Sequence, residues 1–287
     1  MRLKEAYQSG KRKLSQAGVE SAAFDASCLF AHCFGIERSR IPLCGGGEAD
    51  PAARRRYEAL LDRRAAGEPL QYLLGEWEFM GLPLLVGEGV LVPRDDTEVL
   101  VRTAARLLGR TARPKALDLC AGSGAVGIAL SRLYYPEGEV VSLELSEEAF
   151  GYLQQNIVRN GAVRVTPVRG DALAGPGENE REAYDALLSN PPYIPTGDLP
   201  SLQAEVQREP ALALDGGADG LRFYRAIASL WLPAVKPGGV VAVEIGVGQA
   251  EAVRALWERA GLRDICVERD IAGIERVVAG RKPAGAG

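Results

Sequence analysis

Histidine is nearly absent: His32 is the only one in 287 residues. A metal centre cannot rest on one imidazole, and a lone histidine reads as packed or half-buried rather than catalytic. Cysteine is scarce too. Cys28, Cys33, Cys44, Cys120 and Cys266 are odd in number, scattered and without a C-x-x-C pair. Neither a disulfide framework nor a zinc site is indicated, and the thiols read as reduced. No apolar stretch approaches the ~20 residues of a membrane span, and Met1 to Gly10 has no signal-peptide core. A cytoplasmic protein with no membrane partner is the expectation. The formal net charge of −4 leaves no overall positive field with which to hold nucleic acid directly. There is no internal repeat.

What is present is ordinary for a globular chain: 47% hydrophobic and 25% charged residues, over a length that suits one large domain or two smaller ones. Charge is uneven. Residues 1–75 carry 12 Lys+Arg against 9 Asp+Glu, a balance of +3, so the remainder carries −7. Residues 1–74 read as helices, with Leu3, Ala6, Tyr7 and Leu14, then Ala26, Leu29, Phe30 and Phe34, at helical spacing. Gly18, Gly35 and the loop Cys44 to Pro51 break them. Asp50 before Pro51 has the form of an N-cap with proline at the first helical position. The arginines of the helix that follows (Arg54, Arg55, Arg56, Arg63, Arg64) read as a solvated face.

From Glu76 to Val92 the period becomes strand-like, predicting a hairpin linker over 75–93. A helix then starts at Pro93 to Glu98 and runs to Leu108. Beyond it strands predicted near 115–120, 139–144, 163–168, 184–189, 238–244, 264–269 and 274–279 alternate with helices near 124–133, 146–160, 220–234 and 248–260. Such alternation means a parallel sheet covered on both faces. The last two strands, separated only by Asp270 to Gly273, must pair antiparallel. The predicted domains are thus 1–74 (helical, partner docking), 75–93 (hairpin), 94–280 (α/β) and a flexible tail, 281–287. Seven strands with an antiparallel final pair predict the Rossmann-like methyltransferase architecture.

The strand 184–189 stops at Asn190-Pro191-Pro192-Tyr193. Two prolines lack N–H donors and fix φ, so the corner is stiff. It presents an Asn amide, free carbonyls and a flat ring at the carboxyl end of a buried strand, the ligand edge of an open α/β sheet. Those groups suit a planar NH2 group. Earlier, the strand ending Asp118-Leu119 enters the turn Cys120-Ala121-Gly122-Ser123-Gly124. Gly122, Gly124 and Gly127 satisfy G-x-G-x-x-G, with Glu144 about 20 residues on, so a dinucleotide-binding dehydrogenase is a rival reading. Asp118 argues against it, because a carboxylate there repels pyrophosphate and attracts a cationic amino acid or sulfonium. S-adenosylmethionine carries both cations and no phosphate. Glu144 is placed to accept from both ribose hydroxyls, and Asp171, followed by Ala172, from the adenine amino group.

With these motifs the chain resembles the PrmC/HemK group, protein-(glutamine-N5) methyltransferases of class I peptide chain release factors. Further matching stretches are Glu68 to Leu73, Gly75 with Phe79 and Gly81, Val92-Pro93-Arg94 with Thr97-Glu98, Glu209-Pro210-Ala211-Leu212, and Gly216-Gly217 before Asp219-Gly220-Leu221. The resemblance implies S-adenosylmethionine as methyl donor, S-adenosylhomocysteine as product, and release factors as partners docked by the helical domain. The acceptor is the glutamine of a Gly-Gly-Gln tripeptide. It implies that Asn190 Oδ1 and the Pro191 carbonyl accept the two amide N–H groups, with Pro192 and Tyr193 alongside. The cofactor set is then Asp118, Cys120, Ala121, Gly122, Ser123, Gly124, Glu144, Asp171, Ala172 and Asn190. Departures from the family pattern are Cys120 for a glycine, Glu144 for Asp, Ala172 for a larger apolar residue and Asp95 for proline. Two other readings stay open: an adenine amino methyltransferase on nucleic acid, which shares the tetrapeptide, and a non-catalytic adaptor.

Overall fold

The computed structural model describes residues 1–44, 47–177 and 180–284. The chain divides into two compact units, Met1–Glu76 with Gln203–Arg208, and Trp77–Leu202 with Glu209–Gly287.

In the first unit, helices α1 (Leu3–Gln16), α2 (Ala22–Phe34) and α3 (Pro51–Ala65) pack on one another, joined by a 3-10 turn over Arg38–Leu43 and followed by α4 (Leu70–Leu74). Phe30 meets the ring of Tyr57 edge-on at 5.5 Å, and the Tyr57 hydroxyl donates to the Ala26 carbonyl. Asp50 caps α3 as expected: its carboxylate accepts from the Ala53 N–H at 2.7 Å. Two expectations fail. His32 is exposed in the last turn of α2 rather than packed. Arg64 is not on the solvated face but buried, 2.6 Å from Asp25 and also paired with Glu205. Carboxylate partners make that burial tolerable, and their removal would leave an uncompensated charge. Glu205 lies in the short segment that joins this unit from far along the chain. The loop read over Cys44 to Pro51 includes residues 45 and 46, which lie outside the described residues.

The second unit opens with the hairpin β1 (Glu76–Phe79) and β2 (Leu82–Leu85), joined by Met80 and Gly81 at φ +52° and +78°. Both central residues are left-handed, as a type I′ hairpin turn requires. The hairpin is shorter than predicted: Val86, Val90 and Val92 are buried, but in an irregular loop. After a 3-10 turn at Asp95–Thr97 comes α5 (Glu98–Leu108), then β3 (Lys115–Leu119), α6 (Ala125–Ala129), β4 (Glu139–Glu144), α7 (Glu147–Arg159), β5 (Val165–Arg169) and β6 (Tyr184–Ser189). The remainder is α8 (Ala211–Leu214), α9 (Arg222–Ala226), β7 (Val235–Glu244), α10 (Ala250–Arg259), β8 (Arg263–Arg269) and β9 (Glu275–Arg281). The helices predicted at 124–133 and 220–234 are α6 and α9 continued by π-helical turns at Leu130–Tyr134 and Ile227–Trp231.

The strands form one seven-stranded sheet in the order β5-β4-β3-β6-β7-β9-β8, parallel except for β9. This is the predicted Rossmann-like sheet. β9 extends to Arg281 and Lys282 donates to the Gly239 carbonyl, so the chain is ordered past the predicted start of the tail. Residues 285–287 lie outside the described residues. Strands β3, β6 and β7 are buried on both faces, which explains their continuous apolar runs. The order reverses between β3 and β6, and in an open α/β sheet the ligand crevice lies at the carboxyl ends of the strands at that switch.

Candidate functional site

A cleft opens there. The ends of β3, β4, β5 and β6 supply Cys120 to Ser123, Glu144, Asp171 with Ala172, and Asn190 with Pro192. Those residues, separated by up to 72 positions, share one lining. Gly124, Pro191, Tyr193 and Asp118 do not line it.

Glu144 ends β4 and is 8% exposed. The Gly122 N–H donates to Oε2 at 2.8 Å and the Ser146 N–H to Oε1 at 2.7 Å. Each oxygen keeps a lone pair, so two hydroxyls of a diol can be bound by an already oriented carboxylate. Asp171 is held similarly, Oδ1 accepting from the Leu173 N–H at 2.8 Å. Among the described lining residues there are two carboxylates and no lysine, arginine or histidine. Two carboxylates with no basic side chain make this lining electrostatically unfavourable for a pyrophosphate. A cationic ligand with a ribose diol fits the same lining.

Asp118 has a different place from the one expected of it. It is 1% exposed behind the turn, and its Oδ2 accepts from the Gly127 N–H at 3.0 Å, with the Ser142 hydroxyl at 3.4 Å. It ties the start of α6 to the end of β3. A Cβ on Gly127 would stand 2.5 Å from the Ser142 hydroxyl and 2.9 Å from Asp118 Oδ2, so only glycine allows this approach. Burial pushes the Asp118 carboxyl up to about 7. Cys120, where glycine is usual, adopts φ +59°, a left-handed conformation that side chains disfavour. Ala172 is buried, and its carbonyl accepts from the Trp231 indole at 2.7 Å. Phe223 supplies an aromatic ring to the cleft lining instead.

The tetrapeptide is fixed from several sides. Asn190 is half-buried and its Nδ2 donates to Thr97 Oγ1 at 3.1 Å. Tyr193 turns towards β7, its hydroxyl 3.4 Å from Glu244 Oε1, while its carbonyl accepts from Gln249 Nε2 at 2.9 Å. The Ile194 N–H donates to the Leu214 carbonyl and the Gly216 N–H returns to Ile194. A Cβ on Gly220 would lie 2.3 Å from the Tyr193 carbonyl oxygen. The stretch Gly216 to Gly220 thus braces the corner by backbone approach.

Several residues that build the site had no role assigned to them from the sequence. Glu209, 5% exposed, accepts from the Val92 N–H at 2.9 Å and pairs with Arg94, so the two matching stretches at 92–94 and 209–210 are halves of one contact. Asn156, fully buried in α7, bonds both polar groups of the Leu85 backbone and donates to the Ser123 carbonyl at 2.9 Å. Glu244 is 1% exposed at the end of β7. An acidic residue at a strand end, the signal that singled out Glu144, was available for Glu244 as well.

Comparison with known proteins agrees with this geometry. Residues 5–75 match the PrmC N-terminal domain family and residues 100–217 the family described as conserved hypothetical protein 95. The fold recurs in the hMettl16 catalytic domain solved with an RNA hairpin (TM-score 0.59, 14% identity, 79% of this chain and 84% of that one). The release factor glutamine methyltransferase of Geobacter sulfurreducens is 41% identical over 93% of this chain and 92% of its own length. That of Moorella thermoacetica is 41% identical over 96% and 97%. With relatives this similar over nearly their whole length, the chain belongs to the release factor glutamine methyltransferase family.

Proposed function

We propose that this protein transfers a methyl group from S-adenosylmethionine to the side-chain amide nitrogen of the glutamine in the Gly-Gly-Gln motif of class I peptide chain release factors. The observation that carries the reading is that the Asn190 carboxamide shares one cleft with Glu144 and Asp171, the acidic groups suited to a cationic nucleoside. In this reading Glu144 binds the ribose hydroxyls, Asp171 the adenine amino group, and Cys120 to Ser123 pass beside the methionine portion. Phe223 covers the base where Ala172 is too small to do so. When bound, the donor supplies a methyl group on a sulfonium, which leaves as a neutral thioether.

Amide nitrogen is a poor nucleophile because its lone pair is delocalised. Asn190 Oδ1 and the Pro191 carbonyl accept its two N–H groups and hold the lone pair in line with the methyl carbon. Positioning of this kind supplies several kcal/mol of the barrier. As the N–C bond forms, the nitrogen becomes cationic and then loses a proton to water, so no histidine is needed. No helix among the described residues is long and apolar enough to cross a membrane, and the five cysteines are unpaired. Both fit a reaction in the cytoplasm, where translation ends. The helical unit, described by the PrmC N-terminal domain family, is the proposed docking element.

The test is to incubate the purified protein with methyl-labelled S-adenosylmethionine and either a class I release factor or DNA. Label on the Gly-Gly-Gln glutamine is expected. Label on adenine, or none on either substrate, overturns the proposal.

A further inference from the structure

Pro191 and Pro192 have no main-chain N–H, so where the carbonyls of the corner point depends on how its two ends are held. The first end is Ser189, in register with Leu119 and Val243 in the sheet. The second is Tyr193, whose carbonyl accepts from Gln249 Nε2 at 2.9 Å. Gln249 is half-buried just before α10, and its Nε2 also donates to the Gly220 carbonyl at 3.4 Å. At the other end of the same side chain, Oε1 accepts from the Gly246 N–H at 2.9 Å and lies 3.2 Å from the Tyr224 hydroxyl. The two ends of an amide are nearly equal in shape, but main-chain groups of fixed chemistry choose between them here. Turned over, NH2 would face the Gly246 N–H and Oε1 would face two carbonyls. The donor is therefore aimed at Tyr193 by a contact within its own loop. Glycines leave room for it: a Cβ on Gly220 would stand 2.6 Å from Gln249 Nε2, and one on Gly246 3.0 Å from Oε1 and 3.1 Å from the Tyr193 ring.

We infer that Gln249 is a positioning residue of the transfer reaction, a carboxamide clamp that ties the carboxyl end of the tetrapeptide to the loop after β7 and so sets where Asn190 Oδ1 and the Pro191 carbonyl stand. This rests on the reading of those two groups as acceptors of the substrate amide. Gln249 does not line the cleft, so it acts through the corner and not on the cofactor. With φ fixed at two successive prolines, the corner passes a displacement of Tyr193 on towards Asn190 instead of absorbing it, and a small misplacement of groups that orient a reacting atom is costly in rate. Ile194 is tied to the brace by the Leu214 carbonyl and the Gly216 N–H. Gln249 joins that brace to the loop after β7 as well, through the Gly220 carbonyl, so one side chain holds three main-chain segments in register.

The experiment is a double-mutant cycle of Gln249→Met, which keeps the length and deletes both polar ends, with Asn190→Ala. Turnover on release factor, Kd for S-adenosylhomocysteine and thermal unfolding are measured for each protein. Gln249→Met is expected to lower kcat about tenfold, the worth of one hydrogen bond, with cofactor Kd unchanged. In the Asn190→Ala background the same substitution should cost about threefold or less, because only the Pro191 carbonyl is left to misplace. Gln249→Glu keeps the shape and the acceptor for Gly246 but, as a carboxylate, has nothing to donate to Tyr193; it should lower kcat at least as much. That second variant keeps the test available if Gln249→Met does not fold. Parental kcat in either folded variant, a cofactor Kd that weakens in step with kcat, or a loss undiminished in the Asn190→Ala background overturns the clamp alone. Parental turnover in Asn190→Ala overturns the acceptor reading and the clamp with it.

Discussion

Glu144→Gln changes the proposed cofactor site by one atom, and its effect can be worked from the structure. Both carboxylate oxygens of Glu144 already accept a backbone N–H, from Gly122 and Ser146. In the complex each would also accept a ribose hydroxyl, and hydrogen bonds to a charged group contribute roughly 1.5–3 kcal/mol each. A glutamine keeps one accepting oxygen without full charge. Its NH2 end faces one of the two backbone N–H groups and can accept from neither that group nor a hydroxyl. The loss is therefore more than one charged bond and less than two, roughly 2–4 kcal/mol, or about 30-fold to about 1,000-fold in Kd. Isothermal titration with S-adenosylmethionine and S-adenosylhomocysteine should show the same ratio for both, since the diol is common to them. Turnover at saturating cofactor should fall much less. A folded Glu144→Gln protein with parental Kd for both ligands would refute the ribose assignment.

Asn156→Ala removes three buried hydrogen bonds, two to Leu85 and one to Ser123, and should destabilise the protein by roughly 3 kcal/mol or more. Thermal unfolding should show a fall of roughly 6–12 °C, and a loss under about 1 kcal/mol would mean these contacts are replaced by water. Stability should also depend on pH through Asp118, whose folded pKa is about 7 against about 4 for an unfolded carboxyl. The native state then binds the extra proton, so stability is greatest below about pH 4 on this account and falls as pH rises towards 7. Asp215, Asp219 and Asp270, whose carboxyls are lowered by hydrogen bonds, act in the opposite sense below about pH 4. In Asp118→Asn the decline between pH 4 and 7 should be shallower, and an unchanged slope would refute the linkage.

What the sequence determined by itself was local. Short, largely apolar runs alternating with period-3.6 stretches placed all seven strands of the sheet within a few residues, because central strands buried on both faces must be apolar throughout and the helices between them amphipathic. The tetrapeptide and the glycine turn were legible for a similar reason: proline and glycine restrict or free the backbone wherever they stand. Only the tertiary structure decided what lies across the chain. Asp118 and Glu144 look alike as acidic residues at strand ends, yet one is buried behind the turn and the other lines the cleft, because their strand ends meet different neighbours. Arg64 was read as solvated until Asp25 and Glu205 gave it partners from 39 positions before and 141 positions after it. Arg94 with Glu209, and Asn190 with Thr97, are likewise contacts between distant segments. Hydrogen bonds and ion pairs act over a few ångströms in space and leave no period in the sequence, so the residues that aim the site became visible only once the sheet had brought them together.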